Sequence, residues 1–450
     1  MGIRALLTLL LTALLSADAV PDPELLSQSR YIDVVSVQDA PEYIVYLKDL
    51  PKQENYLPTP LERVVFKPRW KFYPHKASGQ LVAVAELAAD QQWFNAAIYN
   101  TLSLEGSCEG CQVALADKIL FSKQDNYIIG DFQKEIDLDP LREKIDLRHL
   151  KYFVVLLKHK EALQLPAITF KNRFVPKNKA VPMRSVWVWN SQDLDTKLLH
   201  KHHIERVYLQ LDKGFEQRAK ALHEEGFEVY GLDGDPNDIF DAKRLERSLE
   251  RVIRLNTSEQ IVSGFQIDVE PHVLNDFDID QAHHLDAFVR LVTTLSKQSH
   301  HKKLVFSLVT PFWYDTLTYK RRPLIYTLID LTDETVLMSY RSDPNSVVRI
   351  SADELAYASF RHKAVQIGVE LMPIPDETHK LFALGAHAPC IIDQQLRQEC
   401  LMLRPKTTYS VKGSTLSFYR QPKQLERLLR TPIVYPAFQG FVFHHMRGLH

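Results

Sequence analysis

From residue 181 onward the chain alternates short, apolar, β-branched runs with amphipathic stretches, and eight strand-like runs can be counted. The runs are Ser185 to Trp189, Val207 to Gln210, Phe227 to Leu232, Gly264 to Glu270, Leu304 to Val309, Thr335 to Tyr340, Val365 to Glu370 and Gly440 to His444. Between them, Phe215 to Glu225, Ala242 to Leu255, Ala282 to Lys297 and Ala352 to His362 place apolar residues three and four apart, as amphipathic helices do. Parallel strands need crossover connections, and eight strand-helix units close a sheet on itself. The expectation is a (β/α)8 TIM barrel over 183–450, with Cys390 and Cys400 in a disulfide-pinned loop near its rim ahead of the last strand.

The residues before it read differently. Short strand-like runs separated by turns fill 20–175: Tyr43 to Leu47, Leu61 to Phe66, Gln80 to Leu87, Phe94 to Leu102, Gln112 to Phe121 and Tyr152 to Leu157. Helical periodicity is scarce there, so an antiparallel sandwich is expected. Trp70, Tyr73 and Trp93 fit either its core or a sugar-stacking surface. Pro176 to Pro182 reads as the linker. The fold class is α/β, a C-terminal barrel preceded by an all-β, sandwich-like domain.

Residues 1–19 combine Arg4, the apolar run Ala5 to Leu15 and Ser16-Ala17-Asp18-Ala19, the pattern of a cleavable signal peptide. That run falls short of the roughly 18 uninterrupted apolar residues a spanning helix needs. A protein of the periplasm or the exterior, not embedded in a membrane, is the expectation. A formal charge of −1 gives no basic excess for phosphate binding, so nucleic acid is set aside as a partner. In an exported chain, Cys108 with Cys111 and Cys390 with Cys400 suggest two short-range disulfides; a zinc site needs all four to converge.

A TIM barrel assembles its active site at the C-terminal ends of its strands. Here those ends are rich in polar and aromatic residues: Trp187 and Trp189, Asp233 and Asp235, Asp268 and Glu270, Trp313 and Tyr314, Tyr340 and Arg341, Glu370, and His444 with His445. Asp268 and Glu270 are two apart on one strand, so their side chains share a face about 7 Å apart along the chain. Paired acids in an apolar strand separate in pKa, leaving one protonated and one ionised. That division of labour suits glycosidic cleavage, in which the leaving oxygen is protonated and a cationic transition state stabilised. An ordinary rim salt bridge, with Arg341 as the natural partner, is the plainer alternative. The aromatic residues suit the apolar faces of sugar rings, although Trp187 and Trp189 share a strand face that packs under helices if it points outward. Asp233 and Asp235 fit either substrate contact or a turn, where Asp is favoured for backbone reasons. His444 and His445 point oppositely, so one at most enters the site. His200, His202 and His203 lack a carboxylate at ligand spacing and read as a solvated helix end.

Ser263-Gly264-Phe265-Gln266-Ile267-Asp268-Val269-Glu270 resembles the fourth-strand signature Asp-x-x-Asp-x-Asp-x-Glu of the family 18 glycoside hydrolases, the chitinase-like barrels. The resemblance implies Glu270 as general acid and Asp268 as the residue orienting a substrate 2-acetamido group that serves as nucleophile. Met338-Ser339-Tyr340 is similar to the family's Met-x-Tyr, which implies that Tyr340 assists the same group. Ser263 and Gln266 stand where the signature has its first two acids, and Arg341 where an acid follows the tyrosine. Substrate assistance and chitin as substrate therefore stay open.

A second scheme is compatible with the same residues. Val269-Glu270-Pro271 ends the fourth strand and Gly368-Val369-Glu370 the seventh, an arrangement that looks like the retaining clan with its acid/base on strand four and its nucleophile on strand seven. Glu370 is then the nucleophile. Both schemes keep Glu270, need no cofactor or metal, and act on a poly- or oligosaccharide. A catalytically silent, polysaccharide-binding scaffold is the rival from another class. A metal-dependent deacetylase needs an Asp/His/His cluster, and the sequence offers none at convincing spacing.

Overall fold

The computed structural model describes residues 31–37, 43–48, 63–75, 79–87, 94–116, 127–173, 181–274, 276, 277, 280–384 and 403–449. The signal-peptide segment, most of the 176–182 linker, Trp93, Cys390 and Cys400 lie outside them.

Eight parallel strands close into a barrel: Met183–Val188, Arg206–Gln210, Glu228–Asp233, Gly264–Ile267, Val305–Pro311, Glu334–Met338, Ala364–Glu370 and Phe438–His444. The last pairs with both the first and the seventh, which completes the closure. All eight expected strands are present, shifted by a few residues at their ends. The expected helices form too, at Phe215–Glu224, Lys243–Glu259, Gln281–His301 and Ala352–Arg361. Their apolar faces join the outward strand residues Val186, Val207, Phe265 and Phe306 in the main core. Trp187, Tyr208, Tyr230, Leu232, Val309, Val336 and Val442 form a separate cluster inside the barrel.

The barrel interior also holds a connected polar column. Arg206 and Glu334 form a buried ion pair at the N-terminal end. Above them Tyr208 donates to Glu334 at 2.7 Å, Gln366 donates to Tyr208 at 2.6 Å, and Ser307 donates to Glu334 at 2.9 Å. Gln266 continues it, donating to Ser307 at 2.8 Å and accepting from Trp187 Nε1 at 2.6 Å. A buried polar group without partners is costly, and this chain of bonds supplies one to each member.

Two antiparallel sheets precede the barrel. One orders Lys71–His75, Gln80–Glu86, Tyr152–Leu157, Gln112–Ala116 and Tyr127–Asp131; the other Arg63–Phe66, Leu163–Lys171, Thr101–Cys108 and Glu135–Asp137. Leu102, Leu104 and Phe170 of one sheet and Val113, Leu115 and Phe153 of the other share one core, as in a sandwich. A disulfide joins Cys108 to Cys111 across the turn between Thr101–Cys108 and Gln112–Ala116, where the chain passes from one sheet to the other. Phe94 to Leu102 is no single strand: Asn95 caps a 3₁₀ turn at Ala96–Ile98, accepting from Ala97 N at 2.8 Å, and the strand starts at Thr101. That turn packs on the barrel helix Ala352–Arg361, and Tyr435 donates to Ile98 O at 3.0 Å.

Two strands from the front of the 20–175 span do not join the sandwich. Tyr31–Val37 and Tyr43–Lys48 pair with each other, and Tyr31–Val37 also pairs with Glu377–Leu384 from the insertion before the last barrel strand. Leu403–Val411 completes that four-stranded sheet. The partners are more than 300 residues apart in sequence, beyond the reach of any local pattern.

Candidate active site

The fourth strand ends where its ladder does, at Ile267, but the alternation of faces continues beyond it. Asp268 and Glu270 both line a cleft of about 380 Å³ at the C-terminal mouth, while Val269 between them is buried in the main core. Asp268 N donates to Asp233 O at 3.0 Å, holding the third and fourth strand ends together. Gly234 permits this closeness, since a Cβ there would lie 1.9 Å from the Asp268 carbonyl oxygen. Pro271 then starts a 3₁₀ turn at Pro271–Val273, and its fixed φ turns the chain away from the strand.

The remaining walls come from other strand ends: Trp187 and Trp189 from the first, Pro311, Phe312 and Trp313 from the fifth, Met338 and Tyr340 from the sixth, His444 from the eighth and His272 from the fourth-strand loop. Trp187 is 1% exposed and forms the floor, its Nε1 tied to Gln266. Gly368 makes room for the indole, since a Cβ there would come within 2.7 Å of Trp187 Cη2.

Burial dominates the electrostatics. Desolvation raises the Asp268 carboxyl well above its ordinary value, and the neighbouring Glu270 charge adds to the rise. Its Oδ1 has no hydrogen-bond partner among the described residues. Glu270 is pushed up to about 7 by desolvation, with His444 pulling the other way. Its side chain keeps 29% exposure through the cleft mouth, so proton exchange with solvent stays open. Burial lowers His272 to about 4, so this ring is neutral at pH 7. It stands 3.4 Å from Glu270 Oε2 and 3.0 Å from the Tyr314 hydroxyl, linking the two through its ring nitrogens. The Tyr340 phenol is held well above 10 by desolvation first, then by Glu370, Asp268 and Glu270.

The structure gathers Asp268, Glu270, Trp187, Trp189, Trp313, Tyr340 and His444 around one cleft. It places other candidates elsewhere. Asp233 is 4% exposed and held by Arg244 Nη1, Ser248 Oγ and its neighbour Gly234 N. Asp235 caps the turn Pro236–Ile239 in a reciprocal box with Asp238. Asp233 thus ties the third strand's end to the helix Lys243–Glu259 and Asp235 shapes a turn, and neither lines the cleft. Tyr314 is fully buried behind Trp313, so its role is to hold His272 and not to stack on a sugar. Arg341 lays its guanidinium 5.0 Å from the Phe312 ring centre and donates to Tyr340 O at 2.8 Å; it does not line the cleft.

Glu370 is the most consequential correction. It is 5% exposed and outside the cleft lining. Its Oε1 accepts from Met372 N at 2.6 Å, and its Oε2 lies 2.5 Å from His444 Nδ1. A carboxylate with both oxygens engaged behind an imidazole is badly placed to attack an anomeric carbon, so the two-glutamate scheme loses its nucleophile. Sequence reasoning missed His272 and Phe312 as wall residues and Gln266 as the anchor of Trp187. For Gln266 a signal existed: it occupies an inward position of the signature segment.

No family model matches the sequence, and no curated protein matches it. Solved structures similar to it include a chitinase from Chromobacterium violaceum at 12% identity, covering 59% of this chain and 94% of that one, with a TM-score of 0.36. A class V chitininase from Pseudomonas fluorescens is 13% identical over 59% of this chain and 95% of that one, with a TM-score of 0.35. The spore cortex-lytic enzyme SleL of Bacillus megaterium is 11% identical over 64% of this chain and 75% of that one, with a TM-score of 0.35. The closed eight-stranded parallel barrel follows from this chain's own strand order.

Proposed function

We propose that the protein is an exported glycoside hydrolase that cleaves a poly- or oligosaccharide, with Glu270 protonating the leaving oxygen. The observation that carries this reading is the state of Glu270: a carboxyl facing an aromatic-walled cleft and held near neutrality, where a general acid must keep its proton and yet release it readily. His272, neutral and anchored by Tyr314, keeps that carboxyl in place without competing for the proton. Trp189 and Trp313 offer apolar faces to sugar rings. Asp268, its carboxyl raised by burial and one oxygen without a partner among the described residues, is placed to meet a hydrogen-bonding substituent of the bound sugar.

Labelled hexasaccharides with β-1,4- and β-1,6-linked N-acetylglucosamine, β-1,3- and β-1,4-linked glucose and α-1,4-linked galactosamine test the proposal. Turnover of at least one, lost in Glu270→Gln, is expected. Binding without turnover supports the polysaccharide-binding scaffold instead.

A further inference from the structure

The titratable groups around the cleft are Asp268, Glu270, His272, Tyr340 and His444. Four have their roles constrained. Burial raises the Asp268 carboxyl and the Tyr340 phenol well above their ordinary values, Glu270 is the proton donor, and both ring nitrogens of His272 face partners. His444 differs. Its Nδ1 is engaged by Glu370 Oε2 at 2.5 Å, whereas its Nε2 has no hydrogen-bond partner among the described residues. The side chain is 30% exposed, into the cleft. Tyr340 stacks on the ring at 6.0 Å and 25°, Trp187 meets it edge-on at 5.9 Å, and His445 stands at 5.9 Å.

Glu370 fixes the tautomer. Its carboxylate already accepts a backbone N–H from Met372 and is nearly closed to solvent, so it takes the Nδ1 proton of His444 as its second hydrogen bond. The imidazole lone pair is thereby directed out from Nε2. A carboxylate-held histidine with a free basic nitrogen, sharing a cleft with a protonated carboxyl, is the complement an acid needs for direct displacement by water.

Resting on the glycosidase reading, we propose that His444 is the general base that activates the hydrolytic water, that Glu370 is its positioning residue, and that cleavage inverts the anomeric carbon. Glu270 gives its proton to the glycosidic oxygen as the bond from that oxygen to the anomeric carbon breaks. The water oxygen bonds to that carbon from the opposite face, and Nε2 of His444 takes the water proton. The products are the freed alcohol and an inverted hemiacetal. The enzyme is left with a Glu270 carboxylate and a His444 imidazolium, and one proton moves back through solvent. No covalent intermediate and no acetamide participation are involved.

The test is the configuration of the first product, followed by ¹H NMR of the anomeric proton before mutarotation, on whichever hexasaccharide of the panel wild type cleaves. Inversion supports the proposal and retention overturns it. His444→Gln should lower kcat by about 10²- to 10⁴-fold with little change in KM and lose the acidic limb of the pH profile. Glu370→Gln should fall less and shift that limb, which a purely structural role would not do. An unchanged kcat in His444→Gln, with the melting temperature preserved, also overturns it. If wild type cleaves and Glu270→Gln does not, but the product is retained, this inference fails alone. If wild type cleaves nothing, the glycosidase reading fails and takes this one with it.

Discussion

Glu270→Gln should make the protein more stable at pH 8 than wild type, while leaving the two alike at pH 4. The folded protein raises this carboxyl from 4.5 to about 7. Between those values the folded state binds more protons than the unfolded one, so wild-type stability falls as pH rises through the window. At about 1.36 kcal/mol per pH unit the full penalty is about 3.4 kcal/mol. The side chain is 29% exposed to the cleft, and solvent screening there reduces the expectation to about 2 kcal/mol. Glutamine keeps the shape and cannot ionise, so it removes the penalty. It also relieves Asp268, whose rise owes part of its size to the Glu270 charge. Below pH 4.5 both proteins carry a neutral group at this position, so the difference between the two pH values isolates the charge from any change in packing. An unfolding entropy of about 2.1 cal/mol/K per residue over about 270 barrel residues converts 2 kcal/mol into roughly 3 to 4 °C. Thermal melts of both proteins at pH 4 and pH 8 measure it. The same melting difference at both pH values, or a wild type that gains relative stability toward pH 8, refutes the reasoning.

Two other substitutions probe the scaffold beneath the site. Arg206→Met strips the counter-charge from Glu334, which is 3% exposed, and should cost about 3 to 5 kcal/mol in urea unfolding; adding Glu334→Gln should recover part of it, and full additivity would contradict the coupling. Gly234→Ala forces a Cβ to within 1.9 Å of the Asp268 carbonyl oxygen, so the strand-four end must shift. The expected result is a loss of at least about 2 kcal/mol together with loss of turnover, and wild-type behaviour in both would mean the approach is looser than described.

The barrel was legible because its strands are buried on both faces and therefore read as continuous apolar runs, punctuated at intervals that leave room for helices. The acids at the mouth were legible for the same reason: Asp268 and Glu270 interrupt such a run, and the fold rule says what polar groups at a strand end are for. What escaped is whatever depends on pairing between distant residues. Nothing local distinguishes Glu370, which braces an imidazole 74 positions away, from a carboxylate facing substrate. Nor does the sequence around Asp233 reveal that Arg244 and Ser248 close over it. The sheet joining Tyr31–Val37 to Glu377–Leu384 is the extreme case, since each strand carries an ordinary pattern and only the folded chain brings them together. Gln266 sits between these cases: its inward position could be read, but its bond to Trp187 could not.

The central claim is that Glu270 is the acid that protonates the leaving group, and the pH dependence of turnover by wild type and Glu270→Gln tests it most directly. The account predicts a wild-type rate that declines as pH rises past about 7, the value to which burial brings this carboxyl, and a Glu270→Gln rate lower by about 10²- to 10⁴-fold with that alkaline limb gone. A Glu270→Gln protein that turns over as fast as wild type, with the same alkaline limb, would contradict it.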